Sequence, residues 1–465
     1  MSDTSPDDIT DGRISRALVL LAAPLVVQNL VQVIQQVVDT FWVGRIGEDA
    51  VAAVGLNYPV TAMLTSAAIV APFVGTQVIV SQRVGGENYS GARRIAVHGI
   101  AVGIALALVV TAVAVVGAET VVDLLGAGGD VAPLAATYLA TWALSLVPMA
   151  ASDVLEGGFV GWGDSRAALY VNVVAVVVNV GLDPVLIFGV GPIDGYGIQG
   201  AALATVLGYT AGFAVALAMA LGLRDSFTLT RDAVSFEAGE FRELLDVGAP
   251  SSARRLAQDG VRVAIVGIVA TVGGAAGLAA YTVGARVASV AFIPATGLSQ
   301  AAQSVVGQNL GAEQPDRARR TTWIGVGIAA AALTVVGALQ WLFPAALTQV
   351  FVPDFSEAAL GLSVDYLRIL AYGYWAIGAT YVLRAGFNGA RRTRTSMVAS
   401  LLQYWALRLP LAVAGVVLLD MGVHAVFWAV TLSNVAAAVG LGAYYHYSAE
   451  SGMFDRAAAQ AVADD

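Results

Sequence analysis

Two apolar stretches of the sequence each carry a row of polar side chains that ends in an aspartate. The first row consists of Gln28, Gln32, Gln35 and Asp39. The second row has related spacing and consists of Asn172, Asn179 and Asp183. Positions i, i+4, i+7 and i+11 lie within a narrow arc on one face of an α-helix. Because ionisable side chains in hydrocarbon are costly and usually mark an ion or substrate path, the two aspartates are candidate cation ligands.

The surroundings of the second aspartate favour cation chemistry further. Pro184 follows Asp183 and has no N–H to donate to the carbonyl of Val180, so that oxygen is left free beside Asn179. Carboxylate, amide and carbonyl oxygens are suitable ligands for Na⁺. Burial and a second carboxylate nearby both favour the neutral acid, so a pair formed with Asp39 could instead gain and lose H⁺ as its surroundings alternate between dry and wet.

Supporting polar groups fall at similar depths in two further apolar segments. Tyr138 and Thr205 would each add a hydroxyl to a site formed by the two aspartates. Tyrosine belts and threonines at helix interfaces are also ordinary in membranes, so the sequence leaves both roles open. Glu156 lies towards the inner end of its segment, where a solvated or arginine-paired role is as well supported as a functional one.

The composition identifies the elements that must position these residues. Of the 465 residues, 58% are hydrophobic and 12% are charged, and 51 are glycine. Such a chain is an all-α, polytopic membrane protein. Cysteine is absent, which excludes disulfides, thiolate metal sites and cysteine nucleophiles. The three histidines, His98, His424 and His446, are too scattered to predict a shared metal site, and no cofactor is expected.

Apolar stretches of about 20 residues predict twelve transmembrane spans in two sets of six. The first set lies near 15–43, 50–80, 93–118, 133–160, 167–190 and 198–222. The second set lies near 243–271, 277–306, 319–343, 361–388, 395–419 and 423–446. The predicted organisation is an N-terminal tail 1–14, a first lobe 15–222, a linker 223–242, a second lobe 243–447 and a C-terminal tail 448–465.

Arginine, the only basic residue in the chain, sets the predicted orientation. It is concentrated in the polar connectors that follow even-numbered spans, while the other connectors hold only Arg45. Since basic loops remain cytoplasmic, both termini and the linker are predicted to lie inside a cell membrane. The net charge of −9 and the acidic terminal stretches are typical of a protein that lives in high salt.

The two halves are related by an internal repeat. "SQRVGGENYSGARR" (81–94) and "GQNLGAEQPDRARR" (307–320) share several residues at an offset of 226, and "LEGGFVG" (155–161) recurs as "LRAGFNG" (383–389). A parallel duplication of six spans is the layout of carriers that rock two pseudo-symmetric lobes around a central cleft.

The acidic residues do not follow this repeat. Asp39 and Asp183 have apolar counterparts in the second half, and Glu156 corresponds to Arg384. At the positions that correspond to the first glutamine row, the seventh span carries Arg255, Asp259 and Arg262. This spacing favours intrahelical ion pairs that neutralise the row. A closing contact between the lobes and an anion site are the alternatives.

With these residues in hand, the sequence resembles the multidrug and toxic compound extrusion (MATE) family, and is most similar to its archaeal and DNA-damage-inducible branch. The resemblance extends over nearly the whole chain. It rests on "APLVVQNLVQVIQQVVDTFWVGRIGEDAVAAVGL", "GGFVGWGDSR", "NVVAVVVNVGLDPVLIFGVGPIDGYGIQGAALAT" and "GQNLGAEQPDRARR".

The resemblance implies a monomeric exporter of amphipathic, often cationic compounds, driven by inward flow of H⁺ or Na⁺. It places the cation site of the first lobe on Asp39, Asp183, Asn179, Tyr138 and Thr205. It also implies bending of the first helix at Pro24, and Pro184 is a second candidate hinge. One departure is that related bacterial exporters use acids in the second lobe, where the seventh span offers only Asp259. The residues predicted to line the substrate cleft are Gln32, Gln35, Asn172, Glu156, Arg255, Asp259 and Arg262.

Two other functions compete with export. A flippase for lipid-linked saccharides, or for another anionic lipid-like substrate, would use unpaired arginines to hold a diphosphate. Arginines available for that role are Arg254, Arg255, Arg262, Arg286, Arg368 and Arg408. A membrane-embedded enzyme would need a convergent set of acids, bases or metal ligands, and only carboxylates remain for it. Small organic compounds and membrane lipid are the expected partners, and nucleic acid is not.

Overall fold

The computed structural model describes residues 9–463 except 192, 225, 236, 353 and 354. The predicted tails 1–14 and 448–465 therefore lie partly outside the described residues. The described chain is almost wholly helical, as the composition predicts, and contains one short antiparallel hairpin in which Gly189–Val190 pairs with Ile193–Asp194.

The helices follow one another in two runs. Those of the first half are Ile14–Gly44, Glu48–Ala68, Val70–Gly85, Tyr89–Leu124, Val131–Ala143, Leu146–Trp162, Ser165–Phe188 and Ile198–Ala218, the last continued by a π-helical turn, Met219–Leu223. Those of the second half begin with Ala238–Ala291, Ile293–Gly311, Pro315–Leu342, Pro344–Phe351, Glu357–Ala371 and Tyr374–Gly389. They continue with Thr393–Leu401, a π-helical segment Leu402–Arg408, and then Leu409–Val417, His424–Glu450 and Met453–Ala463.

Nine of the described helices are long and apolar enough to cross a membrane, or ten if one bent pair is counted as a single span. That pair, Val131–Ala143 and Leu146–Trp162, bends by 43° and forms the fourth span. The 54-residue helix Ala238–Ala291 contains two spans, because Gly274, at φ 55° and ψ −155°, interrupts it. The tenth span is divided at Gly373. When Ala238–Ala291 is counted as two spans, and the bent pair and the divided tenth span as one each, the helices account for all twelve predicted segments.

Proline explains two of the breaks inside spans. Pro72 and Pro148 have no N–H to donate to the carbonyls of Ala68 and Leu144, where the second and fourth spans are divided. Pro24 and Pro184 lie within continuous helices, Ile14–Gly44 and Ser165–Phe188.

The described chain forms two compact units. The first contains Val27–Ser252, and the second contains the described residues up to Val26 together with those from Ala253 onward. The core of the first unit includes Val78, Phe159 and Phe227, and that of the second includes Tyr366 and Phe427. Each unit thus buries its own apolar side chains.

Candidate functional site

A row of small residues lets the fifth and sixth spans approach closely. Gly200, Ala204, Gly208 and Gly212 recur every four residues on the helix Ile198–Ala218. A Cβ at Gly208 would lie 2.7 Å from the Ala175 carbonyl oxygen and 2.8 Å from Asn179 Cβ. Helices in membranes use such small-residue rows because they allow the backbones to pack against each other. Here the close approach places Thr205 beside Asn179.

Filling this contact should damage the site. We expect Gly208→Val to lower the free energy of unfolding by about 1–3 kcal/mol, the usual cost of overpacking, because the new methyl groups must displace helix Ser165–Phe188. Gly117→Ala is the control, since nothing lies within 4 Å of a Cβ at Gly117. Thermal unfolding of both variants in detergent measures the difference. Equal melting temperatures would show that the two helices are free to move apart.

Asp39 and Asp183 come together as the two polar rows predict. Their carboxyl groups are neighbours, close enough for a hydrogen bond to join them when one carries a proton. Asp183 is only 1% exposed, and neither of its carboxylate oxygens accepts a hydrogen bond from a donor in the described part of the chain. Two adjacent carboxylates in a dry site repel each other, so a bound H⁺ or other cation would stabilise the pair.

Asn179 connects this pair to the fifth and sixth spans. Gln35 Nε2 donates to Asn179 Oδ1 over 2.8 Å, and Asn179 Nδ2 donates to Thr205 Oγ1 over 3.4 Å. If the amides of Asn179 and Gln35 are both turned over, the Asn179 nitrogen donates to Asp39 Oδ1 over 3.0 Å and its oxygen accepts from the Thr205 N–H over 3.1 Å. The first orientation suits a protonated Asp39 and the second an ionised one, because only a protonated acid can donate to an amide oxygen.

The remaining predicted ligand is Tyr138. Its hydroxyl lies within electrostatic reach of the carboxyl groups of Asp39 and Asp183. Next to the pair is a narrow gap that has no room for a freely placed water molecule. Its polar lining consists of Gln35, Asn172, Asn179, Thr205 and Tyr209. Asp39, Asp183, Asn179 and Thr205 therefore meet within the first unit, and Tyr138 lies within electrostatic reach of the two aspartates.

The sequence profile of the MatE family matches residues 24–185 and 250–414, which is most of the chain. The chain belongs to the MatE family. It is 26% identical over 437 residues to a FAD transporter of Shewanella oneidensis, covering 93% of this chain and 94% of that protein. It is 28% identical over 436 residues to a probable multidrug resistance protein NorM of Pseudomonas putida, covering 92% and 93%.

Solved structures confirm the MatE fold of twelve spans in two six-helix lobes. One is an outward-facing multidrug resistance MATE family transporter of the MOP superfamily, with TM-score 0.91 and 23% identity. Another is a MOP superfamily transporter from Pyrococcus furiosus, described as having a binding pocket of reverse polarity, with TM-score 0.91 and 24% identity. Each comparison covers 97% of this chain and 99% of the other.

This MatE chain contains a second acidic pair, of which the sequence analysis named Glu156 but not Asp153. Asp153 and Glu156 lie three residues apart on the fourth span, and Gln28 Nε2 donates to Glu156 Oε2 over 2.7 Å. Glu156 is 6% exposed and forms no ion pair within the described residues, so the solvated or arginine-paired alternative was wrong. Tyr209 lies within electrostatic reach of Asp39, Asp153 and Glu156, and so stands between the two acidic pairs.

Sequence reasoning missed Asp153 and Tyr209. The signal for Asp153 was present, since acids at i and i+3 share one helix face. Nothing in the sequence around Tyr209 distinguishes it from an ordinary membrane tyrosine. The glutamine row, predicted as one stripe, serves both pairs: Gln35 contacts the Asp39 site, whereas Gln28 contacts Glu156.

The predicted ion-paired row on the seventh span is wrong. Asp259 forms no ion pair with Arg255 or Arg262 in the described structure, and its Oδ2 is buried without a hydrogen-bond partner. The physical reason is reach: the aspartate has one methylene and stays against the helix, while both arginine side chains extend into exposed positions. The arginines of the second unit are therefore not neutralised by this acid.

Proposed function

We propose that the chain exports small amphipathic organic compounds across the cell membrane in exchange for inward H⁺ or Na⁺. Asp39 and Asp183 bind the coupling cation, and Asn179, Tyr138 and Thr205 support it. The observation that carries the proposal is the adjacency of the two carboxyl groups with no hydrogen-bond donor to Asp183 among the described residues. Such a pair is unfavourable when empty and doubly ionised, and is stabilised by one cation.

The comparisons support export of small compounds without fixing the compound. One relative is called a multidrug resistance protein and another a FAD transporter. The family is one of transporters, which favours transport over the enzyme alternative. Membership of the archaeal branch, life in high salt and cytoplasmic termini remain parts of the proposal that rest on the sequence.

The cation couples to transport through the water content of the site. When the pair is closed off from water, the cation stays bound because two bare carboxylates would repel each other. When the site opens to water, hydration stabilises the ionised pair and the cation leaves. A ligand shifts a conformational equilibrium only if it binds one state more tightly than the other. The cation binds the closed state more tightly than the open state, and therefore favours the closed state.

The remaining sequence candidates have roles consistent with this cycle. Gln32, Gln35 and Asn172 present uncharged polar groups, and Glu156 an acid, for contact with substrate. Pro24 and Pro184 weaken their helices by one hydrogen bond each, which makes them candidate hinges. Binding of substrate through Arg255, Asp259 and Arg262 would take place in the second unit.

Transport in proteoliposomes tests the proposal. The purified chain is reconstituted, and movement of ethidium and of FAD is followed under an imposed pH gradient or an imposed Na⁺ gradient. We expect at least one compound to move against its own gradient under one of the two ion gradients. Movement that neither ion gradient drives would contradict coupled export. Gradient-independent movement of a lipid-linked saccharide would instead support the flippase alternative.

A further inference from the structure

The second unit contains a cluster of five arginines. We call it the arginine cluster; its members are Arg254, Arg255, Arg262, Arg384 and Arg408. None of the five forms an ion pair within the part of the chain that the structure describes. The nearest acid on the same helix is Asp259, whose Oδ2 has no hydrogen-bond partner. A net positive group of this size inside a membrane protein is costly unless something anionic balances it.

Four arginines of the cluster lie close to Tyr404. Arg254, Arg262, Arg384 and Arg408 are all close enough to the Tyr404 hydroxyl to act on it electrostatically. The Arg408 guanidinium carbon lies 4.3 Å from the centre of the Tyr404 ring. Arg254 also lies within electrostatic reach of Arg255 and Arg384. Four of the five guanidinium groups therefore lie near one side chain, Tyr404, although Arg255 and Arg262 are themselves exposed.

A π-helical segment holds part of this arrangement in place. Within Leu402–Arg408, hydrogen bonds run from i to i+5 and bring residues five apart towards one face, whereas an α-helix separates them by about 140°. As a result, Gln403 Nε2 and Arg408 Nη2 both donate to Asn434 Oδ1, each over 2.7 Å. Such segments occur often at functional sites.

Neutral amides fix the guanidinium groups without cancelling their charge. Arg384 Nη2 donates to Gln403 Oε1, which links Arg384 through Asn434 to Arg408. Arg384 is only 9% exposed, yet its Nε has no acceptor, and the buried Nε of Arg254 has none either. Buried donors without acceptors are costly, and these two are available to an oxygen acceptor.

We propose that the arginine cluster binds the phosphoryl group of an amphipathic substrate, either a phosphate or a diphosphate ester. Arginine binds phosphoryl oxygens through paired N–H donors, and several arginines together suit a multiply charged anion better than a single carboxylate. Tyr281 lies within electrostatic reach of Arg262 and Arg408 but is buried against Tyr366, so the aromatic surface beside the cluster is the half-buried ring of Tyr404. The inference rests on the proposed function, because it names the substrate class of the same exporter.

Direct binding to the full chain tests this site. The protein is placed in nanodiscs of phosphatidylcholine, and binding of farnesyl diphosphate, inorganic pyrophosphate and farnesol is measured by calorimetry. We expect farnesyl diphosphate to bind at least tenfold more tightly than farnesol. Tighter binding of farnesyl diphosphate than of pyrophosphate supports an amphipathic ester. Equal binding of the two would contradict the amphipathic part of the proposal and leave only a site for free diphosphate. Failure of both diphosphates to bind, or equal binding of farnesol, would overturn the proposal.

Substitutions of single arginines test which members of the cluster contribute to farnesyl diphosphate binding. Arg384→Gln and Arg408→Gln should each weaken farnesyl diphosphate binding at least tenfold, the order expected from loss of a charge-assisted hydrogen-bond pair. Arg408→Lys should fall between wild type and Arg408→Gln, because lysine keeps the charge but loses the planar fork. The control is Arg368→Gln in the same unit, since Arg368 is exposed and contacts the Trp341 ring at 5.6 Å. Equal weakening by the control would contradict the site.

Two further observations separate failure of this inference from failure of the proposed function. Arg254→Gln, whose Nε has no partner to lose, serves if the buried Arg384 variant does not fold. Binding of farnesyl diphosphate in nanodiscs, where no ion gradient exists, measures the site independently of coupled transport. Diphosphate binding that depends on the cluster, without ion-driven transport, would retain the site and refute coupled export. Coupled transport without diphosphate binding would support coupled export and refute the phosphoryl site.

Discussion

Asp39→Asn and Asp183→Asn should each abolish ion-driven efflux while leaving the protein folded. Asparagine keeps the shape of aspartate but cannot ionise, so neither variant can form the two-carboxylate state that releases the cation. The loss should reach the uncoupled background, roughly 100-fold, which is within the usual span of coupling free energies. Initial rates of ethidium and FAD movement in proteoliposomes under the driving gradient measure the effect.

A matched substitution outside the site controls for the chemical change. Asp123→Asn removes an exposed carboxylate from the last turn of helix Tyr89–Leu124 and should leave the rate within twofold of wild type. Gel filtration in detergent checks that all three variants are folded. Full efflux by Asp39→Asn or Asp183→Asn would move the coupling site elsewhere, and the Asp153–Glu156 pair would be the next candidate.

Arg83→Met should destabilise the protein by about 3–5 kcal/mol, the usual cost of breaking a buried ion pair. Arg83 is 4% exposed and its Nη1 lies 2.9 Å from Oε2 of Glu240, which is 6% exposed. Its Nη2 lies 2.9 Å from Glu243 Oε2, and Nη1 also donates to the Gly91 carbonyl over 2.8 Å. Methionine fills similar volume but removes one cationic partner from each of the two carboxylates, while Arg94 remains beside Glu240.

An exposed ion pair close by in the chain provides the comparison. Arg242 and Asp246 lie 3.9 Å apart with side chains 87% and 58% exposed, so Arg242→Met should change stability by less than about 0.5 kcal/mol. Denaturant unfolding in detergent, followed by tryptophan fluorescence, measures both variants. If Arg83→Met were as stable as Arg242→Met, the buried network would contribute little to holding residues 238–252 against the other helices of the first unit.

The features that could be predicted from the sequence are those that depend on local periodicity. Helix length follows from apolar stretches, so the twelve segments could be located, and the related spacing of the two polar rows placed Asp39 and Asp183 on defined helix faces. Their meeting required only that the two faces turn towards each other. The glycine row at Gly200–Gly212 is also visible in the sequence as a close helix contact.

Features that depend on side-chain conformation or tertiary contacts could not be predicted. The row Arg255, Asp259 and Arg262 has the spacing of ion pairs, but the short aspartate does not reach either arginine in the described structure. The π-helical segment Leu402–Arg408 shifts the helix by one residue and brings Gln403 and Arg408 to Asn434. No periodic pattern reveals such a shift, which is why the sequence named Arg254, Arg255, Arg262 and Arg408 as candidates but could not add Arg384 to them.

The most direct measurement of the coupling claim reverses the driving force. Proteoliposomes are loaded with a transported compound, no ion gradient is imposed, and movement of H⁺ or of radioactive Na⁺ is recorded as the compound flows out. Because coupling is reciprocal, the account predicts that wild type carries the ion in the opposite direction to the compound. It predicts no ion movement in the double variant Asp39→Asn, Asp183→Asn. Substrate-driven ion movement that persists in the double variant would contradict the account.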